Sequence, residues 1–205
     1  MIYLIGLTGN VATGKSLVAR MLRDLGAHVI DADAVAHDLE RKGAPVYDAI
    51  VAAFGGSILR TDGEIDRAQL GVRVFSDPQA LRRLEAIVHP AVGKAIEKRL
   101  SDLPRARPIS DFRTVVVIEA IKLIEAGLHQ RCDALWVVTC RPGLQLDRLM
   151  RTRGLNEADA RLRIVAQPPQ SDKAALADVL IENNGTVDEL GAQVKHHWEQ
   201  IFQGK

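Results

Sequence analysis

An eight-residue stretch near the amino terminus has the residue types and spacing of a phosphate-binding loop. Gly9-Asn10-Val11-Ala12-Thr13-Gly14-Lys15-Ser16 matches the pattern G-x4-G-K-[ST] in full. An apolar run at residues 2–7 precedes it and an amphipathic stretch follows it, which is the strand–loop–helix context that this motif requires. The pattern predicts that the chain binds a nucleoside triphosphate.

Each residue type in this loop has a chemical reason to be there. The glycines let successive N–H groups face inward around phosphate oxygens, and the start of the following helix adds partial positive charge. Lys15 is expected to reach the β- and γ-phosphates, and the Ser16 hydroxyl to coordinate Mg²⁺. The predicted nucleotide-binding set in this loop is Gly9, Val11, Ala12, Thr13, Gly14, Lys15 and Ser16.

Other segments narrow the class of nucleotide-binding protein. The chain has no N/T-K-x-D segment to read guanine, and its D-x-x-G at residues 188–191 comes too late to sense a γ-phosphate. A motor or transporter ATPase usually ends a long apolar strand in aspartate, whereas the run at residues 114–118 ends at Glu119. Small-molecule kinases often lack that aspartate, so these features favour a kinase.

A kinase that acts on a hydroxyl group needs a carboxylate near the acceptor. Asp31 and Asp33 directly follow the apolar run at residues 28–30, and ligands of open α/β sheets bind at the carboxyl ends of the strands. Sequence spacing alone does not choose between them, because one of the two is also a candidate N-cap for the helix that follows. We expect at least one to act in catalysis or substrate binding.

A set of arginines follows the fourth apolar run. Arg141 and Arg148 are two helical turns apart, and Arg151 lies one turn beyond. Such a stripe can close over the phosphates of ATP as a lid. It can equally be a solvated helix face, paired with Asp147 and Glu157.

The elements that must position these residues alternate along the chain. Short apolar runs at residues 2–7, 28–30, 114–118, 134–139 and 179–181 are separated by longer amphipathic stretches. Continuous apolar runs are typical of strands buried on both faces of a parallel sheet, so the pattern predicts a layered α/β fold. About eighty residues separate the second and third runs, far more than one crossover helix needs, which predicts a helical insertion.

Composition sets the remaining limits. The 205 residues carry 27 Lys and Arg against 26 Asp and Glu, so no general electrostatic attraction to nucleic acid or to a membrane surface is expected. Two cysteines, Cys132 and Cys140, cannot form a disulfide framework, and no apolar run is long enough to span a membrane. We expect a cytoplasmic protein with small-molecule partners; the sequence does not determine its oligomeric state, and a monomer is favoured.

Several separated segments together resemble the dephospho-coenzyme A kinases, whose fold is the P-loop core of the nucleoside monophosphate kinases. The resemblance covers nearly the whole chain, and its specific parts are the Asp-Ala-Asp, His-Pro and Asn-x-Gly segments. The segments are Leu7-Thr8-Gly9, Gly14-Lys15-Ser16, Val29-Ile30-Asp31-Ala32-Asp33 with Ala36, Gly43-Ala44-Pro45, Phe54-Gly55, Arg73-Val74-Phe75, Leu84-Glu85, His89-Pro90, Gln145, Arg148-Leu149-Met150, Gly154-Leu155, Gln167, Lys173, Ala177-Asp178 and Ile181-Glu182-Asn183-Asn184-Gly185.

The resemblance implies transfer of the γ-phosphoryl group of ATP to the 3′-hydroxyl of the ribose of dephospho-coenzyme A, with Mg²⁺. It implies that Asp33 is the catalytic carboxylate, assisted by Lys15 and Arg148, and that Arg73 and His89 lie near the substrate. Asn183 and Gly185 would belong to the loop that holds the adenine. The implied organisation is a three-layer core with a five-stranded parallel sheet (residues 1–33, 109–140 and 167–205), a helical substrate subdomain (34–108) and a lid (141–166).

The chain departs from the family pattern at three places, one of which is Asn10, where glycine is frequent. Ile121-Lys122-Leu123-Ile124-Glu125 stands where Pro-Leu-Leu-x-Glu is common, so Glu119 or Lys122 becomes a candidate for a local task. Thr152 stands where the lid pattern has an arginine, which favours Arg148 over Arg151 and Arg153. Two alternatives remain: a kinase of the same layout for another small acceptor such as a nucleoside or nucleotide, and a regulatory nucleotide-binding module without turnover.

Overall fold

Five strands form one parallel sheet, and each coincides with an apolar run of the sequence. The structure is a computed structural model that describes residues 2–103 and 114–203. The strands are β1 (Ile2–Thr8), β2 (His28–Asp31), β3 (Thr114–Glu119), β4 (Ala134–Thr139) and β5 (Val179–Glu182). They lie in the order β2-β3-β1-β4-β5 with parallel pairing. The predicted α/β class with a five-stranded parallel sheet is confirmed.

Nine α-helices occur in the part of the chain that the structure describes. They are α1 (Lys15–Asp24), α2 (Ala32–Leu39), α3 (Tyr47–Phe54), α4 (Arg67–Ser76), α5 (Pro78–Ser101), α6 (Pro142–Arg153), α7 (Glu157–Val165), α8 (Gln170–Ala174) and α9 (Val187–Gln203). No helix among the described residues is long and apolar enough to cross a membrane.

Local signals in the sequence fix several of the helix ends. Gly26 follows α1 with φ of 106°, a left-handed conformation that glycine adopts at little cost. Asn156 caps α7 by accepting a hydrogen bond from the Asp159 N–H at 2.9 Å. Thr186 and Glu189 exchange hydrogen bonds at the start of α9, as expected for a capping box.

The core of the sheet lies around β1, which has a neighbouring strand on each side. Leu7 and Val117 are fully buried together with Val18 and Leu22 of α1 and with Val194 of α9. Both faces of the sheet are covered, which explains why its strands are continuously apolar rather than alternating. This packing fixes the carboxyl ends of β1 and β3 side by side, with Leu7 in register with Glu119.

The described residues divide into two compact units. The first contains the residues before Asp31 and after Leu103, and therefore the sheet with α1 and α6–α9. The second, from Asp31 to Leu103, is helical, with α5 packed against α2, α3 and α4. The roles given to residues 34–108 as a substrate subdomain and 141–166 as a lid stay predictions, and the boundary at residues 108–109 lies outside the described residues.

Candidate active site

The phosphate-loop motif connects β1 to α1. Gly14 precedes the helix with φ of 100°, and a Cβ atom there would lie 2.1 Å from Asn183 Nδ2, so only glycine fits. Ala12 also has a positive φ, 61°. The N–H groups that open α1 have no acceptor within the helix, and together with the helix dipole they form an anion-binding position.

Two side chains of the loop converge on one carboxylate. Lys15 Nζ lies 2.6 Å from Glu119 Oε1, and Ser16 Oγ lies 2.9 Å from the same oxygen. Lys15 is 9% exposed and Glu119 is 5% exposed. A buried ammonium group requires a partner of opposite charge, and Glu119 supplies it. Phosphate oxygens must therefore compete with or share this contact.

A second cluster joins the end of β5 to the same loop. Asn183 Nδ2 donates to the Thr13 carbonyl at 2.8 Å. Arg148 of α6 donates to the Asn183 carbonyl at 3.0 Å and to Asn183 Oδ1 at 3.3 Å. Burial raises the pKa of the nearby Cys140 thiol, and Arg148 opposes that shift. Two predicted site residues, Asn183 and Arg148, thus lie together beside the phosphate loop, while Gly185 is exposed in the segment between β5 and α9.

The other arginines of the predicted lid have different surroundings. The backbone N–H of Arg141 donates to Asn184 Oδ1 at 2.7 Å, before α6 begins. Arg151 is exposed and its Nε lies 3.4 Å from the Asp147 carbonyl oxygen. Glu157, considered as a partner for the stripe, pairs with Arg161 at 2.6 Å instead. Arg148 is thus the member of the stripe with contacts to a predicted nucleotide-binding side chain.

Asp31 and Asp33, which sequence spacing could not tell apart, have different positions in the structure. Asp31 is the last residue of β2 and the N-cap of α2, and its Oδ1 accepts a hydrogen bond from the Ala34 N–H at 2.9 Å. Asp33 lies in the first turn of α2 and is exposed. The structure thus gives Asp31 a capping role, and the catalytic role of Asp33 stays a prediction.

The two predicted substrate residues lie in the helical unit. Arg73 of α4 donates to the Phe54 carbonyl at 2.7 Å, and its guanidinium carbon lies 5.9 Å from the centre of the Phe54 ring. Arg83 lies 3.4 Å from the neighbouring Ala53 carbonyl. Both cations therefore stabilise the carbonyl end of α3. His89 is half-buried in α5, directly before Pro90.

The segment that departs from the family pattern is held through its backbone. The Ile121 carbonyl accepts hydrogen bonds from Thr8 Oγ1, at 3.1 Å, and from Lys173 Nζ. Lys173 also lies 3.3 Å from Glu125. Because a carbonyl makes these contacts, proline is not required at position 121. Lys122 is exposed.

Sequence reasoning underestimated Glu119. The sequence identified this residue as only a partial substitute for a metal-binding aspartate, whereas its carboxylate contacts Lys15 and Ser16, the two loop side chains predicted to bind phosphate and Mg²⁺. The available signal was its place at the end of an apolar run. Gln145 and Gln167, whose amide groups contact the loop, entered the sequence analysis only as part of the family resemblance and without a role.

The chain is similar to dephospho-CoA kinases along most of its length. The family model for dephospho-CoA kinase matches residues 3–189. The dephospho-CoA kinase of Geobacter sulfurreducens is 45% identical over 199 residues, which is 97% of this chain and 98% of that protein.

Solved structures agree with this similarity. The crystal structure of TT1252 from Thermus thermophilus superimposes with a TM-score of 0.81 at 31% identity, covering 97% of both chains. The dephospho-CoA kinase from Campylobacter jejuni has a TM-score of 0.70 at 24% identity, covering 100% of this chain and 99% of that one, which supports the fold. The resemblance and the kinase class predicted from the sequence are confirmed, and the chain belongs to the dephospho-CoA kinase family.

Proposed function

We propose that this protein transfers the γ-phosphoryl group of ATP to the 3′-hydroxyl of the ribose of dephospho-coenzyme A, giving coenzyme A and ADP. The observation that carries the proposal is the family match over residues 3–189 on a chain whose phosphate loop is intact. The convergence of Lys15 and Ser16 on Glu119 supports a working nucleotide site rather than a vestigial loop.

On the donor side, the loop binds the phosphates of ATP. The N–H groups that open α1 and the Lys15 ammonium supply positive charge, and Gly9 and Gly14 allow the backbone to approach. Ala12, Thr13 and the Val11 peptide shape the loop. Asn183 and Gly185, at the end of β5, contribute to the nucleotide site, and Arg148 adds positive charge beside it.

The residues present also fit a magnesium ion. Mg²⁺ prefers oxygen ligands, and Ser16 Oγ and Glu119 Oε1 lie 2.9 Å apart next to the Lys15 ammonium. Ser16 would hold the ion directly, with Glu119 as the nearby carboxylate. When bound, the ion supplies positive charge that neutralises the phosphate oxygens.

On the acceptor side, Asp33 orients the 3′-hydroxyl and accepts its proton as the oxygen bonds to the γ-phosphorus. The bond between that phosphorus and the β-phosphate oxygen breaks, and ADP leaves. An exposed carboxylate in the first turn of α2 suits this role, because the helix directly follows a strand end. We assign Arg73 and His89 to the substrate-binding unit, residues 34–108, and residues 141–166 to the lid.

Small-molecule substrates are the only partners in this proposal. We place the protein in the cytoplasm, where its free thiols Cys132 and Cys140 stay reduced. We expect a monomer that binds neither nucleic acid nor membranes. Size-exclusion chromatography with light scattering tests the oligomeric state, and a second subunit in the eluted particle would contradict it.

A coupled assay of ADP release tests the function directly. Mg-ATP is supplied with dephospho-coenzyme A, adenosine or AMP as acceptor, and the product is identified by mass spectrometry. We expect fast turnover with dephospho-coenzyme A alone, giving coenzyme A. A preference for adenosine or AMP would show that the acceptor is not dephospho-coenzyme A. ATP binding without turnover would favour a regulatory module.

A further inference from the structure

Both polar groups of one backbone residue in the phosphate loop are bound by glutamine side chains. The Val11 N–H donates to Gln167 Oε1 at 2.9 Å, and the Val11 carbonyl accepts from Gln145 Nε2 at 2.8 Å. The Val11 N–H is thus directed at a side chain rather than into the loop. Gln145 is 2% exposed, so its amide group is held in a fixed place.

The two glutamines come from opposite ends of one helical pair. Gln145 lies in the first turn of α6, and Gln167 follows α7 by two residues. Gln170 supports the first contact, because its Nε2 donates to Gln145 Oε1 at 2.9 Å and to the Cys140 carbonyl at 3.1 Å. Asn10 Nδ2 donates to the Pro168 carbonyl at 2.8 Å and adds a further tie. Both ends of the α6–α7 pair are therefore bonded to the same stretch of the phosphate loop.

These contacts surround a strained position. Ala12, directly after Val11, has φ of 61°, which is unfavourable for a residue with a Cβ atom. A strained loop keeps one shape only where its surroundings fix it. The two side-chain bonds fix the peptide groups on either side of the Val11 Cα, and hence the conformation at the start of the loop.

We propose that Gln145 and Gln167 are positioning residues that hold the phosphate loop in its nucleotide-binding shape through Val11. They act on the loop and not on the reacting atoms. The inference rests on the proposed function only in that the loop binds ATP. It also links α6–α7 to nucleotide affinity, because displacement of either helix end breaks a bond to Val11.

The test compares Gln145→Met and Gln167→Leu with a control, Asp133→Ala. Asp133 Oδ2 likewise accepts a hydrogen bond from a backbone N–H, that of Leu4, at 2.7 Å. That contact lies at the amino ends of β1 and β4, at the opposite edge of the sheet from the phosphate loop. The dissociation constant of Mg-ATP is measured by calorimetry without acceptor, and KM is measured for each substrate in the full reaction.

We expect each glutamine variant to weaken ATP binding about five- to tenfold, the effect of one lost hydrogen bond. The KM for the acceptor should stay unchanged. The double variant should lose less than the product of the two single effects, because both bonds act through one residue. Asp133→Ala should lower Tm while leaving ATP affinity at the wild-type value.

Unchanged ATP affinity in Gln167→Leu, or an equal loss in Asp133→Ala, would overturn the proposal. Gln167 is half-buried in a connecting segment, so its variant decides the question even if Gln145→Met does not fold. The calorimetric measurement needs no acceptor. A wild-type chain that binds ATP but does not phosphorylate dephospho-coenzyme A would therefore refute the proposed function without touching this inference.

Discussion

Replacing Glu119 with glutamine tests whether this carboxylate neutralises Lys15. The amide keeps an oxygen for Lys15 Nζ and Ser16 Oγ, which lie 2.6 and 2.9 Å from Glu119 Oε1, but it removes the negative charge. Deleting one partner of a buried ion pair costs about 3–5 kcal/mol. Because hydrogen-bond acceptance is retained, we expect a loss of about 2–3 kcal/mol, which for a chain of this size lowers Tm by roughly 5–10 °C.

The response to ligands distinguishes this cause from general damage. In Glu119→Gln, Lys15 has no negatively charged partner, and the triphosphate of ATP supplies one. ATP in EDTA should therefore raise the Tm of this variant by more than it raises the Tm of the wild type. The further gain on adding Mg²⁺ should fall, because the carboxylate next to Ser16 is gone. Thermal scans of both proteins with no ligand, with ATP in EDTA and with Mg-ATP measure all of these quantities.

Glu125→Gln is the matched control. Glu125 pairs at 3.3 Å with Lys173, another deeply buried lysine of the same unit. This variant should be less stable than the wild type but should respond to ATP and Mg²⁺ as the wild type does. If Glu119→Gln keeps the wild-type Tm, or gains no more from metal-free ATP than the wild type, Glu119 does not neutralise Lys15 and the reasoning is refuted.

Three further predictions concern other groups. Asp33→Asn should lower kcat by about 100-fold or more with an unchanged ATP dissociation constant, and a wild-type kcat would remove Asp33 from the chemistry. Hydrogen bonds from the Gln69 N–H and neighbouring groups hold the pKa of Asp66 below its usual value. The N-cap formed by Asp66 therefore stabilises the fold fully above about pH 4, and this stabilisation is lost as the pH falls through the folded-state pKa. In Asp66→Asn, acid-unfolding curves should no longer show this pH-dependent loss of stability. Burial, reinforced by Asp133, raises the pKa of Cys132 to about 11. In Cys140→Ser, which leaves Cys132 as the single cysteine, this thiol should react slowly with a thiol reagent at pH 8 until guanidinium unfolds the chain. Fast labelling of the native variant would contradict the raised pKa.

The fold was predictable because its signals are local. Apolar runs mark the five strands, and Gly26, Asn156 and the Thr186–Glu189 pair mark helix ends at the expected places. Proline also acts locally: Pro45 disfavours the helical conformation at Ala44, the residue before it, and α3 begins only at Tyr47.

The candidate site was predictable only where a residue type carries its own chemistry. The phosphate-loop lysine and serine follow from a motif, whereas spacing left Asp31 and Asp33 open and only the family resemblance favoured Asp33. Glu119 is 104 positions from Lys15. Only the placement of β3 beside β1 brings the two together, and sequence periodicity contains no information about strand order.

The supports of the phosphate loop were harder still to predict, for a physical reason. Gln145 and Gln167 contact backbone atoms of Val11, and any residue type except proline presents those atoms at position 11, so no paired pattern of side chains marks the contact. A glutamine also has no acid–base or nucleophilic role that would single it out. A charged residue such as the exposed Arg151 is a more obvious candidate from sequence, yet its Nε contacts only the Asp147 carbonyl of its own helix. The hydrogen bonds instead place two uncharged amides, those of Gln145 and Gln167, against the backbone of the phosphate loop.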